Sequence, residues 1–377
     1  MSKRGNNEGS VYKRVKDGRW VGVLNLGYGA GHRERLAFYG RTQAEVLDRL
    51  KAARHAHDDG LPLGSGRQTV GAYLTEWLST TKTSIRPRTF TRYSEYVRVH
   101  AVPQIGRVKL AKLSPQHLQR LYATRLEAGS SPSTVAHLHA VLHRAFRQAE
   151  RIGLVPRNVV ALVDPPRIVR KEMRTLTPEQ ARAFLTATAE DRLGAVYVLA
   201  VSTGLRQGEL LALRWRDVDL EGGTLAVRAT LQRTAEGLVL AETKTARSRR
   251  QVMLTEAALT SLRRHRIAQA QERLRLGSAW EDKDLVFANE VGGAVEASNL
   301  LRRSFRPLLK AAGLPSIRFH DLRHTAATLL LGRGVHPKIV SEMLGHSQIA
   351  VTLDTYSHVT PSMQRDATRA MDEVLAR

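Results

Sequence analysis

Leu344-Gly-His-Ser-Gln-Ile-Ala-Val-Thr-Leu-Asp-Thr-Tyr-Ser-His358 is the stretch on which the rest of the chain turns. It sets a histidine directly after a glycine, as at a helix break, and a tyrosine further along. Alone, His346 is better explained as a capping or core histidine. Three other stretches give it company: Thr203-Gly-Leu-Arg-Gln-Gly-Glu-Leu210, Glu242-Thr-Lys-Thr-Ala-Arg-Ser-Arg-Arg250 and His320-Asp-Leu-Arg-His324. Arg206 follows a glycine turn at a predicted helix start, where backbone N–H groups favour anions and an arginine adds forked donors. The plain alternative is a surface arginine paired with Glu209, three residues on. His320 and Arg323 share one helix face. Lys244 lies between two strand-like runs, at an expected hairpin tip, with Arg247, Arg249 and Arg250 close by.

Taken together, these stretches supply two arginines, a lysine, two histidines and a tyrosine. That inventory suits phosphoryl transfer without a metal. Arginines neutralise a phosphate whose charge grows in the transition state. A lysine or histidine can protonate a departing alkoxide, and a tyrosine hydroxyl can attack and form a covalent intermediate. His320 and His324 have a spacing that can ligate an ion, but no His-Glu-x-x-His pattern and no cysteine supports one. Clustered carboxylates for a magnesium pair are also missing, which argues against magnesium-dependent nuclease chemistry. We therefore expect no metal and no cofactor.

Composition points the same way. The 377 residues carry 59 Lys+Arg against 35 Asp+Glu, a net charge of +24, and no cysteine. Disulfide scaffolds and cysteine nucleophiles are excluded, and a reducing compartment fits. No apolar run approaches about 18 residues, so no membrane span is expected. The first residues lack the apolar core of a signal peptide. At 42% hydrophobic the chain can bury a core, and its length exceeds one domain. A surface this basic suits a polyanion, with nucleic acid ahead of anionic membrane. Residues 67–170 carry 17 basic and 5 acidic residues, so half of the excess, +12, sits there. A clamp on phosphate backbones would look like this.

Along the chain, Ser10–Arg14, Trp20–Leu26 and Arg33–Tyr39 are short strand-like runs, and Thr42-Gln-Ala-Glu45 opens a helix to about His57. A linker follows at Leu61–Gly66. The next segment is all helical, with Ser114-Pro115 and Ser131-Pro132 each placing a cap before a first-turn proline. Arg86–His100 is expected as one helix, interleaving Arg86, Arg88, Arg92, Tyr93 and Tyr96. The third segment mixes helices with strand-like runs at Thr224–Thr230, Leu238–Thr243 and Gln251–Leu254. A final amphipathic helix over Thr360–Arg377 would align Met363, Ala367, Ala370, Met371 and Val374.

The four stretches, in this order, resemble the tyrosine recombinases, and within them the phage and mobile-element integrases. The resemblance covers roughly residues 67–377. It implies a multidomain α+β chain: a small N-terminal β-sheet-plus-helix, arm-type DNA-binding domain (1–63), an all-helical core-binding domain (67–165), and a mainly helical catalytic domain with a small antiparallel sheet (171–377). Arg206 and Arg323 would clamp the scissile phosphate. Lys244 would protonate the leaving 5′-oxygen, and His320 would take and return the nucleophile's proton. His346 would hydrogen-bond a non-bridging oxygen. Tyr356, the only one of nine tyrosines downstream of His320 and Arg323, would attack to give a 3′-phosphotyrosyl link. Glu209 would support Arg206. Asn158-Val159 departs from the Asn-Pro common in relatives.

The implied function is integration or excision of a phage or mobile element. The implied partners are double-stranded DNA attachment sites, a tetramer of the chain itself on a Holliday junction, a host DNA-bending protein and an excision factor, in the cytoplasm of a bacterial host. The C-terminal helix would dock on a neighbouring protomer, the alternative being its own domain. Two other functions fit parts of the pattern: a type IB topoisomerase, and a non-catalytic DNA-binding regulator.

Overall fold

Alternating runs in the first segment pair into an antiparallel meander, β1 (Ser10–Lys13), β2 (Trp20–Gly29) and β3 (His32–Gly40). In this computed structural model the described residues are 10–29, 32–58, 68–169, 173–234, 237–242, 249–345, 348–356, 368–369 and 371–376. Contacts divide the chain into two units, Met1–Arg170 and Lys171–Arg377. Helix α1 (Gln43–Asp58) covers the meander with Val46 and Leu50 over Gly22. Its cap differs from the expected box by one residue. The Glu45 backbone N–H donates to Thr42 Oγ1 at 3.2 Å, but the Glu45 carboxylate accepts from the Arg41 N–H at 3.1 Å.

The rest of the first unit is helical: α2 (Val70–Thr81), α3 (Pro87–Glu95), α4 (Val102–Ile105), α5 (Pro115–Glu127) and α6 (Pro132–Arg151). The predicted stripe Leu138, Val141, Leu142, Ala145 and Phe146 is buried with Leu74, Trp77 and Leu118 in one core. Ser131 Oγ accepts from the Thr134 N–H at 3.1 Å, which starts α6 as its sequence requires. The expected single helix over Arg86–His100 instead widens into a π-turn at Tyr96–Ala101 before α4. Pro103 accounts for the interruption. It has no N–H to donate to the Val99 carbonyl four residues back, and the Arg125 guanidinium bonds that carbonyl instead. Asn158, without a following proline, closes its own turn: its side chain accepts from the Val160 N–H at 3.0 Å and donates to the His143 carbonyl at 3.1 Å.

In the second unit, Thr177 and Gln180 form the predicted reciprocal cap of α7 (Pro178–Ala187), at 3.2 and 3.0 Å. Helix α8 (Gly194–Thr203) is apolar nearly all round and lies at the centre of the core. Tyr197 packs there between Phe184, Phe305 and Phe319. Helix α9 (Gln207–Leu210) is a single turn.

Five strands follow: β4 (Val218–Asp219), β5 (Thr224–Val227), β6 (Ala229–Thr234), β7 (Gly237–Glu242) and β8 (Arg250–Met253). They make two small antiparallel sheets, β4-β5-β8 and the ribbon β6-β7, so the expected run Thr224–Thr230 divides at Arg228. Lys244 lies outside the described residues; among those described, the runs that flank it pair elsewhere, β7 with β6 and β8 with β5. The register of the β6-β7 ribbon runs from Ala229–Glu242 to Thr234–Gly237. Further helices are α10 (Glu256–Leu276), α11 (Ala297–Leu300), α12 (Arg306–Ala311), α13 (Phe319–Gly332), α14 (Pro337–Leu344) and α15 (Ile349–Tyr356).

Candidate active site

Two left-handed glycines set the geometry of the site. Gly204 ends α8 at φ 64° and Gly345 ends α14 at φ 69°, a conformation that side chains with a Cβ rarely adopt. A Cβ on Gly204 would also lie 2.4 Å from Leu344 Cδ2, and one on Gly345 would lie 2.9 Å from Arg250 Nη1. The chain after α8 can therefore turn tightly against α14, and this brings Arg206 to the end of α14. Arg206 Nη2 donates to the Gly345 carbonyl at 3.3 Å, one residue before His346.

Glu209 joins two arginines. Its Oε1 accepts from Arg206 Nη1 at 2.8 Å, and its Oε2 accepts from Arg250 Nη2 at 2.9 Å. Burial opposes the Glu209 charge, but the hydrogen bond and charge of Arg250, then the charge of Arg206, hold its carboxyl below the usual range. Exposure separates the two cations: the Arg206 side chain is 40% exposed and that of Arg250 only 8%. Arg206 can meet a ligand, whereas Arg250 is structural to the pair. Arg250 Nε also donates to the Met343 carbonyl at 2.8 Å, so one guanidinium ties β8, α9 and the end of α14 together. Sequence reasoning left Arg250 among the neighbours of Lys244. Period-two alternation was the available signal, since Arg250 shares a strand face with the buried Val252.

Helix α13 carries the remaining described groups. Its start is fixed by Asp321, whose buried carboxylate accepts from the Arg318 backbone N–H and from the Arg318 guanidinium, both at 2.7 Å. Arg323 is 2% exposed and donates through Nη1 to the Gly204 carbonyl at 2.8 Å. Its charge thus lies beneath the turn that carries Arg206. His320 is exposed at the surface of the same helix. Desolvation, then the charges of Arg323 and Arg206, hold its imidazole below the ordinary value against the pull of Asp321. The His324 ring meets it edge-on, with centroids 4.9 Å apart. Burial and the His320 charge push His324 down to about 4. Both histidines therefore favour the neutral form at neutral pH, and a neutral imidazole can accept a proton.

Of the sequence-predicted residues, Arg206, Glu209, His320 and Arg323 come together around the Gly204 turn. Lys244 and His346 lie outside the described residues. Tyr356 closes α15, whose backbone is described; α15 packs on α14, so the chain bearing Tyr356 is adjacent to the helix that ends at the Arg206 contact.

Residues 174–363 match the phage integrase family, and residues 69–126 match the phage integrase N-terminal SAM-like domain. An integrase of Streptomyces ambofaciens is 32% identical over 390 residues, covering 100% of this chain and 98% of the relative. A XerC-like tyrosine recombinase of Caldanaerobacter subterraneus is 31% identical, covering 90% and 92%. Among solved structures, the Tn1549 transposon integrase in complex with transposon right end DNA matches the fold with a TM-score of 0.69 at 23% identity, over 82% of this chain and 100% of that one. A lambda integrase tetramer bound to a Holliday junction matches with a TM-score of 0.57 at 18% identity, over 92% and 97%.

Proposed function

This chain belongs to the phage integrase family of tyrosine recombinases, and from that premise we propose how its residues divide the work. It is a site-specific recombinase of the phage or mobile-element type, an enzyme that cuts and rejoins DNA strands. In our reading the Tyr356 hydroxyl attacks the scissile phosphorus while His320 takes its proton. The bond from phosphorus to the 5′-oxygen breaks, Lys244 protonates that oxygen, and a 3′-phosphotyrosyl ester remains beside a free 5′-hydroxyl. Arg206 and Arg323 neutralise the phosphate, and His346 hydrogen-bonds a non-bridging oxygen. The ester conserves the energy of the broken bond, so a 5′-hydroxyl from another strand can reverse the step without ATP. Glu209 orients Arg206.

The observation that carries this reading is the convergence of Arg206, Arg323 and His320 on the Gly204 turn, with two guanidinium charges acting on one imidazole. A charge buried before substrate arrives needs no reorganisation when the phosphate charge grows, which is where such groups contribute most to rate.

The same reading extends to the whole chain. Residues 1–63 form the arm-type DNA-binding domain, 67–165 the core-binding domain and 171–377 the catalytic domain. Attachment sites on double-stranded DNA are the substrate, and the active assembly is a tetramer on a Holliday junction. The exposed Met371, Val374 and Leu375 support docking of the C-terminal segment on a neighbouring protomer. A host DNA-bending protein and an excision factor complete the partners, in the cytoplasm of a bacterial host. Among the described residues no helix is long and apolar enough to cross a membrane.

A two-site assay tests the function. Duplexes from the DNA flanking the gene, supplied in pairs, should yield joint products. Relaxation of a supercoiled plasmid without joint products from any pair would mark a topoisomerase-like enzyme instead.

A further inference from the structure

Residues 173–177, with which the described part of the second unit opens, form neither helix nor strand, yet two of them are seated in its interior. Leu176 is 1% exposed in the main core, and Met173 packs against a cluster of Ala327, Leu331, Val340 and Leu344 that α13 and α14 share. We propose that this segment is a strap that positions Arg323, and that Thr325 is the residue through which it does so. Its effect on the reaction rests on the recombinase reading above, while its effect on geometry does not.

One hydroxyl makes the connection. The Leu176 backbone N–H donates to Thr325 Oγ1 at 3.0 Å, and the same hydroxyl donates to the Asp321 carbonyl at 2.9 Å, four residues back on α13. Thr325 is 0% exposed, so a bond lost there is not replaced by solvent. A threonine that bonds the carbonyl four residues back often bends its helix at that turn. Here the turn is Asp321–Thr325, and Arg323 lies within it. Because the Leu176 N–H holds the hydroxyl from outside the helix, the strap fixes how this turn is set.

Arg323 depends on that setting. Its Nη1 reaches the Gly204 carbonyl at 2.8 Å from the far end of a long side chain, so a small change of angle in the turn moves the guanidinium further than the backbone. The other end of the strap bears on the same place. Leu344, in the cluster that Met173 covers, has its Cδ2 2.4 Å from where a Cβ on Gly204 would stand, and Ala326 Cβ is 3.5 Å from that point. Strap, α13 and α14 therefore meet at the turn that Arg206 follows. His320 reports on the arrangement. Burial, then the charges of Arg323 and Arg206, hold its imidazole below the ordinary value, with Arg318 acting the same way, Asp321 opposing, and the His324 ring edge-on to it. Withdrawing the Arg323 charge lets that imidazole titrate higher.

The test uses the full chain and a nicked suicide duplex. Thr325→Val keeps the shape and removes the hydroxyl, and Met173→Ala loosens the other end of the strap. Thr188→Val is the control, since it removes a buried hydroxyl that bonds the Leu185 carbonyl at the end of α7. Adduct formation is followed at saturating duplex, well below each melting temperature. His320 is titrated by NMR in the free, histidine-labelled chain. Thr325→Val should form adduct on the order of 10-fold more slowly, short of the roughly 100-fold that an ångström of misplacement costs. Its duplex affinity should be retained and its His320 should titrate higher. Met173→Ala should move both readouts in the same direction, and Thr325→Ser should restore most of the rate. Thr188→Val should lower the melting temperature alone. A His320 titration unchanged in both strap variants overturns the proposal, as does a wild-type adduct rate in both. So does the same change in Thr188→Val, because a general loss of stability would then explain it. Should Thr325→Val fail to fold, Met173→Ala decides by the same two readouts. A wild-type chain that forms no adduct removes the recombinase reading, and the titration still decides the strap.

Discussion

Arg250 shows how a buried ion pair can serve a site it does not face. Its guanidinium holds the carboxylate that orients Arg206 and the carbonyl that precedes the end of α14. Arg250→Ala would leave Glu209 buried with only the half-exposed Arg206 as partner. Removing one member of a buried pair costs about 3–5 kcal/mol. We expect a lower melting temperature and a covalent-adduct rate reduced on the order of 100-fold, the usual scale for an ångström of misplacement, with duplex binding retained. Arg250→Lys should restore part of the stability but little of the rate, since a lysine cannot span Glu209 and Met343 with a planar fork. An Arg250→Ala chain that forms adduct at the wild-type rate would refute the positioning role. Arg206, His320 and Arg323 could be nominated from the sequence because each stands in a short local motif. Arg250 could not, because its function lies in a pairing across 41 residues that no local pattern reveals.

At the scale of elements, α13 joins a cap, a pair of histidines and a buried cation within its first turns. Its two histidines give it a direction in pH. Their native values lie below the ordinary value of about 6.5, His324 at about 4. Between those limits the unfolded chain binds more protons than the folded one, so stability rises with pH there. The contribution is therefore intact at neutral pH and is lost as pH falls from about 6.5 toward the native value. Thermal melts from pH 7 to 4.5 should show a progressive fall that His324→Gln reduces. A melting temperature with the same pH dependence in both chains would contradict this. Caps and stripes, which are local, were legible: Ser131, Thr177 and the α6 core face stand where the sequence placed them. Strand pairing was not. The runs flanking Lys244 are adjacent in sequence, yet each finds a partner elsewhere, because pairing is decided by which edges the fold brings together. The π-turn after α3 was readable in principle from Pro103, but its stabilising partner, Arg125, is remote.

For the whole molecule, the net charge of +24 divides between two kinds of work. Residues 67–170 carry half of that excess, and within them Val70 to Val163 close a helical core. In the second unit, Arg206 and Arg323 are brought to the Gly204 turn. Division into α-helical and mixed segments followed from periodicity and composition, while the convergence of motifs more than a hundred residues apart required the fold. The central claim is that Tyr356 is the nucleophile, and covalent capture tests it most directly. The full chain is incubated with a nicked suicide duplex, denatured, and the protein–DNA adduct is digested and mapped by mass spectrometry. The account predicts an adduct on Tyr356 that survives EDTA and disappears in Tyr356→Phe while that variant still binds the duplex. An adduct that persists in Tyr356→Phe, or one that maps to another residue, would contradict it.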